Sequence, residues 1–141
     1  MPQTAPSRTP YEVSDEELVT VIADFLALGH VDNIVAMVRQ EPRYLAWAGR
    51  LLEDERYSVR IGVLVLFEYL IDLCPAHLPL ALPGLIERLH HPTEWVRGEA
   101  ASVLGIIGSD EALAALPPLL NDPSAQVVEI VRDILETSRH G

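Results

Sequence analysis

The sequence predicts an all-α chain, an α-α superhelix (a helical-repeat solenoid) of about eight helices in four antiparallel pairs. Three observations carry this expectation. Apolar residues recur at helical spacing in one segment after another. Glycine and proline punctuate those segments at short intervals. The chain also matches itself at two fixed shifts. No segment alternates apolar and polar residues for long enough to make a half-buried strand.

The helices follow in order. Ser14-Asp15-Glu16-Glu17 has the form of a capping box. Leu18, Val21, Ile22 and Phe25 then give an apolar stripe, and Gly29 stops the helix. A shorter helix fits Asp32 to Gln40, ending before Pro42. Further helices fit about 42–54, 57–74, 78–90, 93–107, 110–121 and 124–138. Proline after His91 and after Asp122 suits a first helical position, where its missing N–H is not needed. Asp110 and Glu111 fall in a first turn, where they favour the helix dipole. Pro117-Pro118 falls inside a helix and predicts a kink. Connections this short force antiparallel neighbours.

A shift of 31 residues lays Leu82 on Leu113, Leu85 on Leu116, Leu89 on Leu120, Pro92 on Pro123 and Val96 on Val127. A shift of 37 lays Leu45 on Leu82, Leu52 on Leu89, Val59 on Val96, Arg60 on Arg97 and Leu70 on Ile107. The organisation expected is a flexible tail over 1–13 and one repeat domain over 14–141. That domain holds a degenerate pair at 14–41 and repeats at about 42–75, 76–108 and 109–139. One helix pair cannot bury its apolar face alone, and stacked pairs share a continuous core. The second helices carry the stripes Val59, Val63, Leu66, Leu70; Val96, Ala100, Val103, Ile107; and Val127, Val131, Ile134. Gly98, Ala100, Ala101 and Gly105 allow close helix approach.

These residues resemble the HEAT repeat, in particular the bacterial HEAT-like form first associated with phycobilin lyases. The middle copy carries the pattern most fully: Leu82-Pro83-Gly84-Leu85-Ile86, His91-Pro92, Val96-Arg97, and Ala100 to Gly108. The third copy starts Ser109-Asp110-Glu111-Ala112-Leu113, where the family often has a Gly-Asp-Pro/Glu-Ala-Leu start. The resemblance implies an armadillo-like architecture and leaves activity open. HEAT-type deoxyhypusine hydroxylases hold iron with His-Glu dipeptides, and this chain has none. HEAT-like alkylpurine DNA glycosylases need a cationic groove, which the acidic balance here opposes.

Composition narrows the function classes. The formal net charge of −11 repels nucleic acid and anionic lipid, and the ten basic residues are single arginines with no lysine. That excludes a phosphate-loop lysine, a Schiff-base lysine and a Ser-Lys nucleophile pair. A single cysteine, Cys74, excludes an internal disulfide and any multi-cysteine zinc site. It ends a strongly apolar helix and reads as a small buried residue. His90-His91 lacks a third ligand at recognisable spacing, since adjacent helical residues point about 100° apart. The apolar run Ile61 to Leu73 is broken by Glu68 and Asp72 and is too short to span a bilayer. No targeting signal is evident, so the expected compartment is the cytoplasm. No cofactor, metal, nucleic acid or membrane partner is expected, and no catalytic residue is assigned.

The candidates for partner binding are Tyr57, Arg60, Glu94, Trp95, Arg97, Trp47 and Val128. Arg60 and Arg97 share a repeat position, occupied by Val128 in the third copy. They either pair with carboxylates or helix-end carbonyls as a ladder between repeats or contact a ligand. Trp95, beside the core-facing Val96, either covers a repeat junction or meets a partner. The last helix is apolar at Val127, Val128, Ile130, Val131, Ile134 and Leu135. It either tucks into the core or docks a partner or a second copy, as in a homodimer. The expected function is a non-catalytic protein-interaction or scaffold module. The alternatives are a subunit of an enzyme or lyase/chaperone complex resembling phycobilin lyases, and a structural homo-oligomer formed through the last helix.

Overall fold

The computed structural model describes residues 13–140, so the expected tail lies almost wholly outside the described residues. Among these residues every regular element is helical, with eight α-helices and three 3-10 helices. α1 (Asp15–Ala27) and α2 (Val31–Gln40) form the first pair. A 3-10 helix at Pro42–Trp47 runs into α3 (Ala48–Leu51), and α4 (Tyr57–Leu73) returns. A second 3-10 helix at Pro75–Ala81 runs into α5 (Leu82–Arg88), followed by α6 (Glu94–Ile107). α7 (Asp110–Ala114) leads to a third 3-10 helix at Pro117–Asn121, followed by α8 (Ala125–His140).

The helix ends follow local chemistry. Glu17 N–H donates to Ser14 Oγ at 3.1 Å and Ser14 N–H donates to Glu17 Oε1 at 2.9 Å, completing the capping box of α1. Gly29 closes the α1–α2 turn at φ +86°, a left-handed value that favours glycine. Gly108 does the same after α6, at φ +67°.

The first segment of each repeat departs from the expected single helix. These stretches wind as tighter 3-10 turns before α3 and α5 begin. Pro42 and Pro75 open them at a position where a missing N–H costs nothing, and Pro79 alone lies inside its segment, where an α-helical ladder would use the N–H it lacks. In the third repeat the expected kink becomes a full break, with α7 ending at Ala114 and a 3-10 helix starting at Pro117. Pro92 and Pro123 were expected at first helical positions. Both instead lie before the helix: α6 is capped at Thr93 and starts at Glu94, and α8 starts at Ala125. A closed turn explains the offset, because Thr93 N–H already donates to His91 Nδ1 at 3.0 Å and Ser124 N–H to Asp122 Oδ2 at 2.9 Å.

The pairs stack in sequence order. α4 packs on α6 and α6 on α8, forming a layer of second helices. The 3-10 helix at Pro42–Trp47 packs on the one at Pro75–Ala81, and α3 packs on α5, forming the facing layer. The N-terminal pair is different. Both α1 and α2 rest on α4, and α2 also meets the Pro42–Trp47 turn. This follows from the stripes: Ile22 and Leu26 from α1, and Ile34 and Val38 from α2, are all buried in one core.

That core is continuous from Ile22 to Val131 and includes Leu52, Val59, Phe67, Leu70, Leu85, Val103 and Leu116, all inaccessible to solvent. Each such side chain contributes about 1.5–3 kcal/mol of transfer free energy. Cys74 is buried as expected. Small residues set the helix spacing. A Cβ on Gly49 would lie 2.7 Å from the Gly84 carbonyl oxygen, and a Cβ on Gly62 would lie 2.8 Å from Leu26 Cβ. Gly98 and Gly105 of α6 receive Ile130 and Ile134 of α8 in the same way.

Candidate functional site

The second-helix layer carries all the aromatic and charged candidates except Trp47. Arg60 stands in the first turns of α4. Its Nη1 donates to the carbonyls of Asp54 and Glu55 at 2.9 and 3.0 Å, closing the turn that precedes its own helix. Its Nε donates to Glu99 Oε2 of α6 at 3.2 Å, tying one repeat to the next. The guanidinium lies 4.1 Å from the Trp95 ring centre and 5.3 Å from the Tyr57 ring centre. Both distances fall within the reach of cation–π attraction. Arg60 is thereby held among two rings, two carbonyls and one carboxylate, and its side chain is only 11% exposed.

Tyr57 and Trp95 remain exposed beside it. Tyr57 is the first residue of α4. Trp95 is the second residue of α6, next to Val96, which turns into the core. With Glu94, Glu99 and Gly98 from α6, and Gln126, Val127 and Ile130 from α8, they line a groove of about 240 Å³. Gly98 keeps the floor low, since a Cβ there would meet Ile130 Cδ1 at 3.2 Å.

Arg97 repeats the geometry of Arg60 one unit on but stays out of the groove. Its Nη1 donates to the carbonyls of His91 and Pro92, at 2.9 and 3.2 Å, and its Nε and Nη2 donate to Asp122 at 2.9 and 3.0 Å. The two arginines form an inter-repeat ladder that ends at the half-buried Val128.

Of the seven candidates, Tyr57, Arg60, Glu94 and Trp95 meet in one groove. Trp47 does not join them. It is 8% exposed, its ring packs 5.1 Å from Tyr44, and Arg43 covers it at 5.3 Å, so it serves the first-helix layer. Val128 also lies elsewhere, on α8. That helix does not present the apolar excess that its composition suggested. Val127 and Val131 are buried, Ile130, Ile134 and Leu135 pack partly buried against the core, and no large apolar residue of α8 is exposed.

The partners of the arginines, Glu99 and Asp122, were not among the candidates. A signal for Asp122 existed. Asp54, His91 and Asp122 fall at one repeat position, and each accepts the backbone N–H two residues on. Gln126 and Ile130 carried no such signal, because which turn of α8 faces Trp95 depends on packing.

Among the described residues no group of three His, Cys, Asp or Glu side chains could hold a metal ion. No described helix is long and apolar enough to cross a membrane. The groove offers aromatic faces, carboxylates and an apolar floor, which suits recognition of another molecule's side chains.

A family model of HEAT repeats matches residues 65–135, half of the chain. The chain belongs to the HEAT-repeat family. The matched stretch runs from within α4 to within α8, and so spans the elements that build most of the groove. No curated protein and no solved structure matches the chain. HEAT repeats generally mediate protein–protein interaction. The HEAT assignment fixes the layered helix pairs, and the side chains on the second-helix layer are this chain's own.

Proposed function

We propose that this HEAT-repeat chain is a non-catalytic docking module whose partner protein binds across the second helices, at the groove between α4, α6 and α8. The observation that carries this reading is the Tyr57–Arg60–Trp95 cluster. Two aromatic side chains, Tyr57 and Trp95, stay exposed side by side on one surface. Both are held in place by a guanidinium that is itself fixed by three polar partners. Pre-ordered aromatic side chains lose little entropy on binding, and tryptophan, tyrosine and arginine dominate binding hot spots. The inward packing of α8 favours this surface over the α8 homo-oligomer.

The test is co-purification from the native organism with wild-type chain and with Trp95→Ala and Tyr57→Ala variants. Circular dichroism serves as the check on folding. A partner retained by wild type and lost by both folded variants supports the reading. An unchanged set of bound proteins sinks it.

A further inference from the structure

We infer that the groove takes a cationic side chain, an arginine or lysine presented by a basic peptide segment. This rests on the docking reading above and names the chemistry of the partner. Arg60 is the groove's own cation, and it is already ion-paired within the fold. Its Nε and Nη1 are bound to Glu99, Asp54 and Glu55, and two rings cover its plane. An arriving carboxylate or phosphate finds only Nη2 without a partner, on a guanidinium whose charge Glu99 already balances. Glu94, by contrast, is exposed on the groove wall and has no ion-pair partner among the described residues.

The rest of the lining fits a long side chain with a charged head. Arg60 takes one face of each ring, and the opposite faces of Tyr57 and Trp95 carry the same negative quadrupole, which attracts a guanidinium or ammonium. Gly98, Val127 and Ile130 supply an apolar bed for the methylene stem. The volume of about 240 Å³ falls below the roughly 300–1,000 Å³ of small-molecule pockets and suits one inserted side chain.

The wider field agrees. The chain carries a net charge of −11. Arg43, Arg50, Arg56, Arg60, Arg88 and Arg97 all sit in ion pairs, so most of the positive charge is locally neutralised. A basic segment is drawn in at long range and an acidic one repelled.

Two indoles allow a direct test by nitrogen-15 NMR. Trp95 lines the groove and Trp47 is buried in the other layer, so the second serves as an internal control. The probes are end-capped tetra-arginine and tetra-glutamate peptides. Tetra-arginine should shift the Trp95 indole resonance saturably and leave Trp47 in place, and tetra-glutamate should shift neither. Glu94→Gln should weaken the tetra-arginine site about threefold, the scale of one exposed ion pair. Glu111→Gln, on α7, should leave it unchanged.

The inference is overturned if Trp95 does not respond, or if tetra-glutamate shifts it. It is equally overturned if Glu111→Gln weakens binding as much as Glu94→Gln, which marks diffuse attraction to an acidic protein. A partner that is lost with Trp95→Ala while tetra-arginine leaves Trp95 unmoved removes this inference and keeps the docking reading. Saturable tetra-arginine binding with no partner lost keeps the cation site and removes the docking reading.

Discussion

Arg97 and Asp122 are joined by two parallel hydrogen bonds, Nε to Oδ1 at 2.9 Å and Nη2 to Oδ2 at 3.0 Å, with side chains 12% and 8% exposed. The pair links the turn of one repeat to the turn of the next, and Arg97 also holds the carbonyls of His91 and Pro92. Removing the carboxylate leaves a nearly buried guanidinium short of its counter-charge, and Ser124 N–H loses its acceptor. Asp122→Ala should therefore cost about 2–4 kcal/mol, more than an exposed pair at roughly 0–1 kcal/mol. Asp15→Ala, which breaks the exposed pair with Arg43, is the comparison. Urea unfolding of both variants measures the difference. Equal small losses would show that the repeat junction does not depend on Arg97.

The same carboxylate gives stability a sign in acid. Burial pushes the Asp122 carboxyl up, but the Arg97 hydrogen bonds, the Ser124 N–H and the Arg97 charge together outweigh it, so the group lies below its ordinary 3.8. Asp54 is also lowered, first by its side-chain bonds to Arg56. A carboxylate depressed in the folded state contributes stability that is complete above its unfolded pKa. That contribution is lost as pH falls through the folded value. Stability should thus hold steady down to about pH 4 from these two groups and then fall. Asp122→Asn should flatten that fall, and urea midpoints followed into acid for wild type and variant check it. A variant curve parallel to wild type below about pH 4 would remove Asp122 as a source.

Much of the architecture was legible because its signals are local. The Ser14–Glu17 box, the stripes Val59-Val63-Leu66-Leu70 and Val96-Ala100-Val103, and the stop at Gly108 each need only a few neighbouring residues to read. The exposed pair Tyr57 and Trp95 was legible from position, each near a helix start. Three features were not. The 3-10 winding of the first segments is one, since Pro42 and Pro75 stand where an α-helix tolerates proline and only Pro79 lies inside its segment. The seating of both α1 and α2 on α4 is a packing outcome that no period encodes. The carboxylates of the ladder lie 39 and 25 residues from their arginines, so only the stacking brings them together.

The glycines at helix crossings differ in what an added methyl would meet. At Gly49 it meets the Gly84 carbonyl oxygen at 2.7 Å, a backbone atom that cannot step aside. At Gly98 it meets Ile130 Cδ1 at 3.2 Å, the end of a flexible side chain. Alanine is the better helix former by about 1 kcal/mol, which offsets a mild crowding but not a backbone clash. Gly49→Ala should destabilise by about 2–3 kcal/mol, and Gly98→Ala should stay within roughly 1 kcal/mol of wild type. Thermal and urea unfolding rank the two, and the reverse order would contradict the close approach of the first-helix layer.

His91 occupies the repeat position that holds Asp54 before it and Asp122 after it, and this explains why Arg60 reaches to Glu99. In the next repeat, Arg97 finds its carboxylate at that turn position, in Asp122. Arg60 finds a histidine there, whose Nδ1 is taken by Thr93 N–H. Its Nε turns to Glu99 on α6 instead. Glu99→Gln alone should cost about 1–2 kcal/mol, because Arg60 is largely buried and keeps only carbonyl acceptors. His91→Asp would place a carboxylate where Asp122 stands in the following repeat, still able to accept the Thr93 N–H. In that background Glu99→Gln should cost less, by about 1 kcal/mol in a double-mutant cycle. The cycle reads pairwise coupling directly. Strict additivity of the two substitutions would mean that position 91 does not face Arg60 as position 122 faces Arg97, and the ladder would not be a repeating device.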